Sequence, residues 1–244
     1  MKRIFLIAGI LMLFSFTKQL TSESVLQKMY NRYGGKWFKT LSFNQTTERY
    51  RNDSLVKTET WYENVIYPNL FRIDFGDPAK GNAVIYKGDS SFFFKNGQLQ
   101  QAAKDRDELT FFLGGMYFTS FNNVIASFKA LNYDLGKFHE DTWKGKPVYV
   151  IGANSAGEKV NQLWVDKDML VPVRFFKYEN NRKEEGTFEN QVKMDNGWSE
   201  TYCRFYFNDK LIQAETYHDV VAGKPIDEKI FDPAAFITWQ LKAK

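Results

Sequence analysis

The feature that most constrains the fold is a succession of short, strand-like runs separated by residues that favour tight turns. Dipeptides such as Asn52-Asp53, Gly88-Asp89 and Asn96-Gly97 separate runs rich in aromatic and β-branched residues. Connections this short join antiparallel neighbours. About eleven strands are predicted in this way: 41–51, 55–63, 66–75, 83–87, 91–95, 146–153, 160–166, 171–178, 186–193, 198–207 and 211–221.

An antiparallel sheet with this many strands twists and curls rather than staying flat. Apolar residues at helical spacing predict a first helix over residues 22–33, with Ser22 or Ser24 as its cap. A second apolar stripe follows Gly114-Gly115 and runs from Tyr117 to Leu131. The predicted fold class is therefore mainly β with helices: a single curled antiparallel sheet, or open, incomplete β-barrel, covered by lid helices.

The N-terminal segment has the pattern of a secretion signal. Lys2 and Arg3 precede an apolar run over residues 4–16, which Lys18 ends well short of the roughly 20 residues that a membrane span needs. We expect a cleaved signal peptide over residues 1–22 and export to the periplasm. No cysteine lies near the junction, so we expect no lipid anchor. With no linker-like segment, residues 23–244 are predicted to form one domain.

Charge argues against nucleic acid as a partner. The chain has 33 basic and 29 acidic residues, but three of the basic residues lie in the predicted signal peptide. The rest is almost neutral and lacks the basic surplus of a nucleic-acid-binding protein. Cys203 is the single cysteine, so no internal disulfide can form.

No pattern typical of catalysis or metal binding is present. Cys203 and His218 lie on successive predicted strands, where a tight turn would place them diagonally on one face, but such residues are more often structural. His139-Glu140-Asp141 is interpreted as a solvated turn, and metal-ligand spacing is absent. We predict no enzyme activity, no cofactor and no metal. A hydrolase using Cys203 or scattered carboxylates remains the less favoured alternative.

Aromatic residues make up 17% of the chain, and 23 residues are Phe. They could line an apolar pocket for an acyl chain or simply fill a core, and composition does not decide between the two. In the run over residues 66–75, Tyr67, Phe71, Ile73 and Phe75 share one parity, so we expect their side chains on the concave face of the sheet.

Several motifs, taken in order along the chain, resemble LolA/LolB-type periplasmic carriers of outer-membrane lipoproteins. They are Phe43-x-Gln45 after the first helix, Trp61-Tyr62 followed by Tyr67-Pro68-Asn69-Leu70-Phe71, Gly145-x-Pro147-Val148-Tyr149, and Leu163-Trp164-Val165-Asp166 followed by Leu170-Val171-Pro172-Val173-Arg174. The resemblance covers nearly the whole chain after the signal peptide.

The resemblance implies an apolar cavity for lipid or lipoprotein acyl chains, and a monomer that could meet a membrane-bound loading or receiving protein. The expected cavity residues are Phe43, Trp61, Tyr67, Phe71, Ile73 and Phe75. The expected lid-helix residues are Tyr117, Phe121, Val124, Ile125 and Phe128. Where the carriers have an arginine that holds the lid, this chain has Tyr67, while Arg72 has the parity of the opposite face. A protein-binding or lipid-sensing module on the same scaffold is the alternative.

Overall fold

The structure, a computed structural model, describes residues 20–239. Most of the predicted signal peptide therefore lies outside the described residues. The predicted boundary at residue 22 falls on the first residue of the first helix, and Thr21 caps that helix in a reciprocal capping box with Ser24. The cap is thus Thr21 rather than Ser22 or Ser24. No helix within residues 20–239 is both long enough and apolar enough to span a membrane.

Three α-helices and fifteen strands make up the described part of the chain. The helices are α1 (Ser22–Tyr33), α2 (Glu108–Phe112) and α3 (Phe121–Ala130). The strands are β1 (Thr40–Arg51), β2 (Ser54–Ile66), β3 (Leu70–Phe75), β4 (Ala83–Lys87), β5 (Ser90–Lys95), β6 (Gln98–Ala103), β7 (Phe138–Trp143), β8 (Lys146–Ile151), β9 (Gln162–Asp166), β10 (Pro172–Glu179), β11 (Arg182–Glu189), β12 (Val192–Met194), β13 (Gly197–Ser199), β14 (Tyr202–Phe207) and β15 (Lys210–Ala222). Short 3₁₀ helices occupy Pro78–Lys80, Gly115–Phe118 and Glu228–Phe231.

Thirteen strands form one antiparallel sheet in the order β6-β5-β4-β3-β2-β1-β15-β14-β11-β10-β9-β8-β7, and β12 pairs with β13 in a separate hairpin. The predicted fold class is confirmed: a large, open, curled sheet with helices. The strand number is higher than predicted because β6 and β7 are polar edge strands and β12–β13 is very short. The segment from 104 to 137 joins the two edge strands, and it carries α2 and α3.

The helices pack on one face of the sheet, which we call the inner face. The largest apolar cluster lies there and includes Val25 and Met29 of α1, Val124 and Phe128 of α3, and Phe188 of β11. Each of these five side chains is almost inaccessible to solvent. Burial of this apolar area is the main source of stability for a fold without a disulfide.

The outer face carries smaller clusters. One of them, around Ile85 and Phe94, is covered by the C-terminal segment through Phe231 and Phe236. Arg72 and Asp74 lie on this face too, fully buried. The parity prediction that Arg72 faces away from Phe71 is therefore confirmed, because alternate residues of β3 face opposite sides of the sheet.

Two local predictions are wrong. The run over residues 66–75 is not continuous, because a cis Tyr67–Pro68 peptide and a turn separate β2 from β3. His139 does not lie in a turn: it belongs to β7, and the backbone oxygen of Ala153 lies 2.9 Å from its Nδ1. The sequence did not predict this strand because the residues around His139 are polar, as they can be in a strand at the edge of a sheet.

Candidate functional site

A cavity of about 450 Å³ lies between the inner face and α2. Eight adjacent strands, from β4 to β10 in the order of the sheet, contribute side chains to it. The apolar and aromatic residues of its wall are Leu41, Phe43, Trp61, Val65, Tyr67, Phe71, Ile73, Tyr86, Leu109, Leu113, Phe175, Phe188, Trp198, Phe205, Tyr206, Phe207, Ile212 and Tyr217. This size and lining are typical of pockets for small apolar ligands.

Stacked rings shape the floor of the cavity. Phe43 of β1 stacks on Tyr217 of β15, with ring centroids 4.1 Å apart and planes 19° from parallel. Phe71 of β3 stacks on Tyr86 of β4 at 5.8 Å. These pairs arise because residues on neighbouring strands share the inner face, and offset ring pairs stabilise the sheet beyond their buried area.

We call α2, together with its flanking residues Asp107 and Leu113, the cover of the cavity. Asp107 caps the helix, accepting a 2.6 Å hydrogen bond from the Thr110 amide. Glu108 forms a 2.8 Å ion pair with Lys177 of β10. At the other end, the Tyr67 hydroxyl donates a 3.4 Å hydrogen bond to the Leu113 carbonyl. The cover is therefore held at both ends, to β10 by the ion pair and to the turn between β2 and β3 by the hydrogen bond.

Five of the six predicted cavity residues line this space: Phe43, Trp61, Tyr67, Phe71 and Ile73. Phe75 is not among the lining residues, and its ring packs edge-on against Trp61 at 4.9 Å. Tyr67 reaches the cavity from the turn between β2 and β3, not from a strand. Whether these residues bind lipid stays a prediction.

The predicted lid helix is placed differently. Phe121, Val124, Ile125 and Phe128 lie on α3, and Tyr117 lies in the 3₁₀ helix before it. All five belong to the inner-face core, and none lines the cavity. The helix that covers the cavity is instead α2, which has only five residues, too few to show a helical period in the sequence.

Sequence reasoning also missed acidic side chains inside the cavity. Glu63 of β2, Glu200 after β13 and Glu215 of β15 line the wall, each 6% exposed. Burial, together with the nearby Glu215, raises the pKa of Glu200 to about 7. Burial likewise raises the pKa of Glu215 to about 7. The pKa of Glu63 is raised by burial and then by Glu215. One signal was available: Glu63 shares the parity of Trp61 and Val65.

The structure does not bring Cys203 and His218 together. Cys203 is fully buried on the inner face, opposite Glu215, and its thiol donates to the Tyr217 hydroxyl at 3.4 Å. His218 is exposed on the other face, where its Nε2 lies 3.0 Å from the Thr46 hydroxyl. The predicted diagonal placement is wrong because the residues have opposite parity in the register of β14 and β15. Burial also raises the pKa of the thiol, which disfavours a nucleophilic thiolate.

No model of a known protein family matches the chain, and no curated protein matches it in sequence. Solved structures do match in fold. A DUF1329 family protein from Desulfovibrio piger matches with a TM-score of 0.59 and 13% identity, covering 88% of this chain and 98% of that one. A LolA superfamily protein from Nitrosomonas europaea matches with a TM-score of 0.55 and 14% identity, covering 88% and 99%.

A domain from Vibrio parahaemolyticus, named for outer membrane lipoprotein sorting, matches with a TM-score of 0.60 and 12% identity, covering 87% of this chain and 96% of that one. These identities are low, so the likeness concerns the fold. The match spans nearly the full length of each structure, as the order of motifs predicted. The chain has the fold of the LolA superfamily.

Proposed function

We propose that this protein is a non-enzymatic periplasmic carrier that shelters the acyl chains of lipoproteins or other lipids in the cavity beneath α2. The observation that carries the proposal is the cavity itself, about 450 Å³ of space walled by aromatic and aliphatic side chains. Each methylene group moved from water into such a wall contributes about 0.8 kcal/mol, so a single acyl chain supplies enough free energy for tight binding.

The fold supports the proposal. The Vibrio parahaemolyticus domain with the same fold is named for lipoprotein sorting, and the cavity lies on the face of the sheet that carries the helices. The cavity is covered by α2, whose Leu109 and Thr110 line it, while Phe111 and Phe112 of the same helix pack in the inner-face core.

The experiment is mass spectrometry of lipids that co-purify with the protein from the periplasm, followed by titration of delipidated protein with a fluorescent fatty acid. We expect bound lipid and saturable uptake that unlabelled fatty acid displaces. A protein that carries no lipid and takes up no probe would overturn the proposal.

A matched pair of variants tests the location. Phe71 lines the cavity, whereas Phe93 is 40% exposed and is not among the lining residues. Phe71→Glu should weaken probe binding at least about tenfold, because it places a charge in the apolar wall, and Phe93→Glu should leave affinity almost unchanged. Circular dichroism checks that both variants are folded. Equal affinities would mean that the probe binds elsewhere.

A further inference from the structure

Three carboxyl groups in the cavity form no ion pair with any residue between 20 and 239. Glu63, Glu200 and Glu215 come from distant parts of the chain, yet all line the same cavity and each is 6% exposed. They are close enough to act on one another, since Glu215 raises the pKa of both Glu63 and Glu200.

Their hydrogen bonds are few. Glu215 accepts from the side chain of Gln213 and, at 3.4 Å, from the Tyr217 hydroxyl. The Glu200 carboxyl is hydrogen-bonded to its own amide, and the Glu63 carboxyl has no hydrogen bond to any residue between 20 and 239. Buried carboxylates are costly unless they are paired or protonated. The carboxyls of Glu63 and Glu200 therefore have no partner on another described residue, and both residues line the cavity.

A second, independent observation that points to a ligand comes from Trp61. Its indole N–H is buried and finds no acceptor among the described residues, and the ring lines the same cavity as the three carboxyls. An unpaired buried donor is unfavourable by itself and becomes favourable when a ligand brings an acceptor. This donor therefore favours a ligand that carries a polar acceptor group beside its apolar chain.

The charges point to an organic cation rather than a metal ion. Among residues 20–239 no three His, Cys, Asp or Glu side chains are arranged to hold a metal. The aromatic ring of Tyr217 stands among the carboxyls, and the face of such a ring attracts an alkylammonium group. An ammonium group on an acyl-chain ligand could satisfy several separated carboxylates at once.

We propose that the ligand of this cavity carries a positively charged ammonium group next to its apolar chain, and that Glu63, Glu200 and Glu215 receive that group. The proposal rests on the carrier function proposed above and adds the chemical class of the ligand. Trp61 then donates to an acceptor, such as an ester or amide carbonyl, on the same ligand.

The other titratable and charged groups around the site fall into three classes. Asp107, at the start of α2, is an acid with a pKa raised by burial. The thiol of Cys203 and the hydroxyls of Tyr67, Tyr86 and Tyr217 have pKa values raised by burial, and they stay neutral near pH 7. The remaining charges are paired or lie at the edge of the site: Glu185 with Arg174 and Lys183, Arg49 with Glu59, and the exposed Glu184.

Binding should therefore depend on pH in opposite ways for different ligands. As pH rises through about 7, Glu200 and Glu215 ionise and attract a cation. The same ionisation makes the wall less favourable for a neutral apolar ligand. A permanent cation should bind more tightly at high pH, and a neutral ligand with the same chain more tightly at low pH.

The test uses dodecyltrimethylammonium and dodecanol, below their aggregation thresholds, as competitors of a bound, uncharged, apolar fluorescent probe. Neither competitor changes its own charge with pH. We expect the cation to bind about tenfold more tightly than the alcohol at about pH 8.5, and this preference to shrink at about pH 5.5. Equal affinities at both pH values would overturn the ammonium site but leave the carrier function standing. If neither compound displaces the probe, the proposed carrier function is itself overturned.

Substitutions of single glutamates test which residues cause the preference for the cation. Glu200→Gln and Glu63→Gln should each reduce the preference for the cation several-fold while dodecanol still binds. Glu184→Gln is the matched control, because Glu184 lines the edge of the cavity but is exposed. A preference that survives both buried substitutions, or that Glu184→Gln abolishes equally, would contradict the assignment. Because both Glu63 and Glu200 are replaced in separate variants, the test remains decisive if one of the two variants does not fold.

Discussion

Arg72 and Asp74 form a two-pronged ion pair inside the protein, on the face of the sheet opposite the cavity. Arg72 Nε lies 2.8 Å from Asp74 Oδ2 and Nη2 lies 2.7 Å from Oδ1, and both side chains are fully buried. Arg72 also donates to the backbone oxygens of Ile230 and Ile237, and the Trp239 indole donates to Asp74. The pair therefore attaches the C-terminal segment to β3.

Replacing Arg72 with Met should destabilise the protein by about 3–5 kcal/mol, because it leaves the Asp74 carboxylate buried without its partner. Urea denaturation followed by circular dichroism measures the change. Lys57→Met is the control: its pair with Glu59 is 2.6 Å long but Lys57 is 60% exposed, so the cost should stay within about 1 kcal/mol. Similar losses for both variants would show that the buried pair has no special role.

The buried carboxyls should make stability fall as pH rises. The pKa values of Glu200 and Glu215 are about 7 in the folded protein, against an ordinary value of 4.5. Between these values the folded protein holds protons that the unfolded chain releases. Their contribution to the free energy of unfolding is therefore fully present below about pH 4.5 and is lost progressively as the pH rises to about 7.

Glu200→Gln should flatten that profile, by an amount on the order of 3 kcal/mol over this range. The measurement is urea denaturation at several pH values for the wild type, Glu200→Gln and the exposed control Glu184→Gln. The control should follow the wild type. Parallel profiles for all three proteins would mean that Glu200 ionises normally and is not buried as described.

The sequence was sufficient for the architecture because the strands alternate and the turns are marked by Asn, Asp and Gly. The sequence predicted only part of the candidate site. Phe43, Trp61 and Phe71 were found because their strands alternate clearly, but α2 is too short to show a period. Glu200 and Glu215 could not be found, since their burial arises from the packing of β1, β2, β14 and the β12–β13 hairpin, which no local pattern records.

Gly186 keeps space for the cavity. A Cβ atom at this position of β11 would lie 2.2 Å from the ring of Phe175, which lines the cavity. Gly186→Ala should push that ring into the cavity, weaken fatty-acid binding and cost about 1–3 kcal/mol of stability. Gly157→Ala is the control, because a Cβ there meets nothing within 4 Å. Unchanged binding in Gly186→Ala would mean that the Phe175 ring moves elsewhere.

Cys203 should behave as a structural thiol. It is fully buried, and burial raises its pKa, so little thiolate forms near neutral pH. With a thiol reagent such as dithionitrobenzoate, we expect reaction at least about a hundredfold slower in the native protein than in denaturant. Rapid reaction of the folded protein would show that β14 opens to solvent.

Tyr67 should control how quickly the cavity opens. Its hydroxyl donates to Leu113 at the end of α2, while its ring stacks on Phe118 with centroids 5.9 Å apart and planes 5° from parallel. Tyr67→Phe removes the hydrogen bond and keeps the ring. Since one such bond contributes about 1 kcal/mol, we expect the fatty-acid probe to leave up to about fivefold faster, with little change in melting temperature.

Stopped-flow displacement of the probe measures the release rate. Tyr86→Phe is the matched control, because Tyr86 also lines the cavity but its hydroxyl has no hydrogen bond to a described residue. That variant should release the probe at the wild-type rate. If Tyr67→Phe and Tyr86→Phe behave alike, the bond to Leu113 does not hold the cover. The ion pair between Glu108 and Lys177 and the buried rings of Phe111 and Phe112 then hold α2 in place.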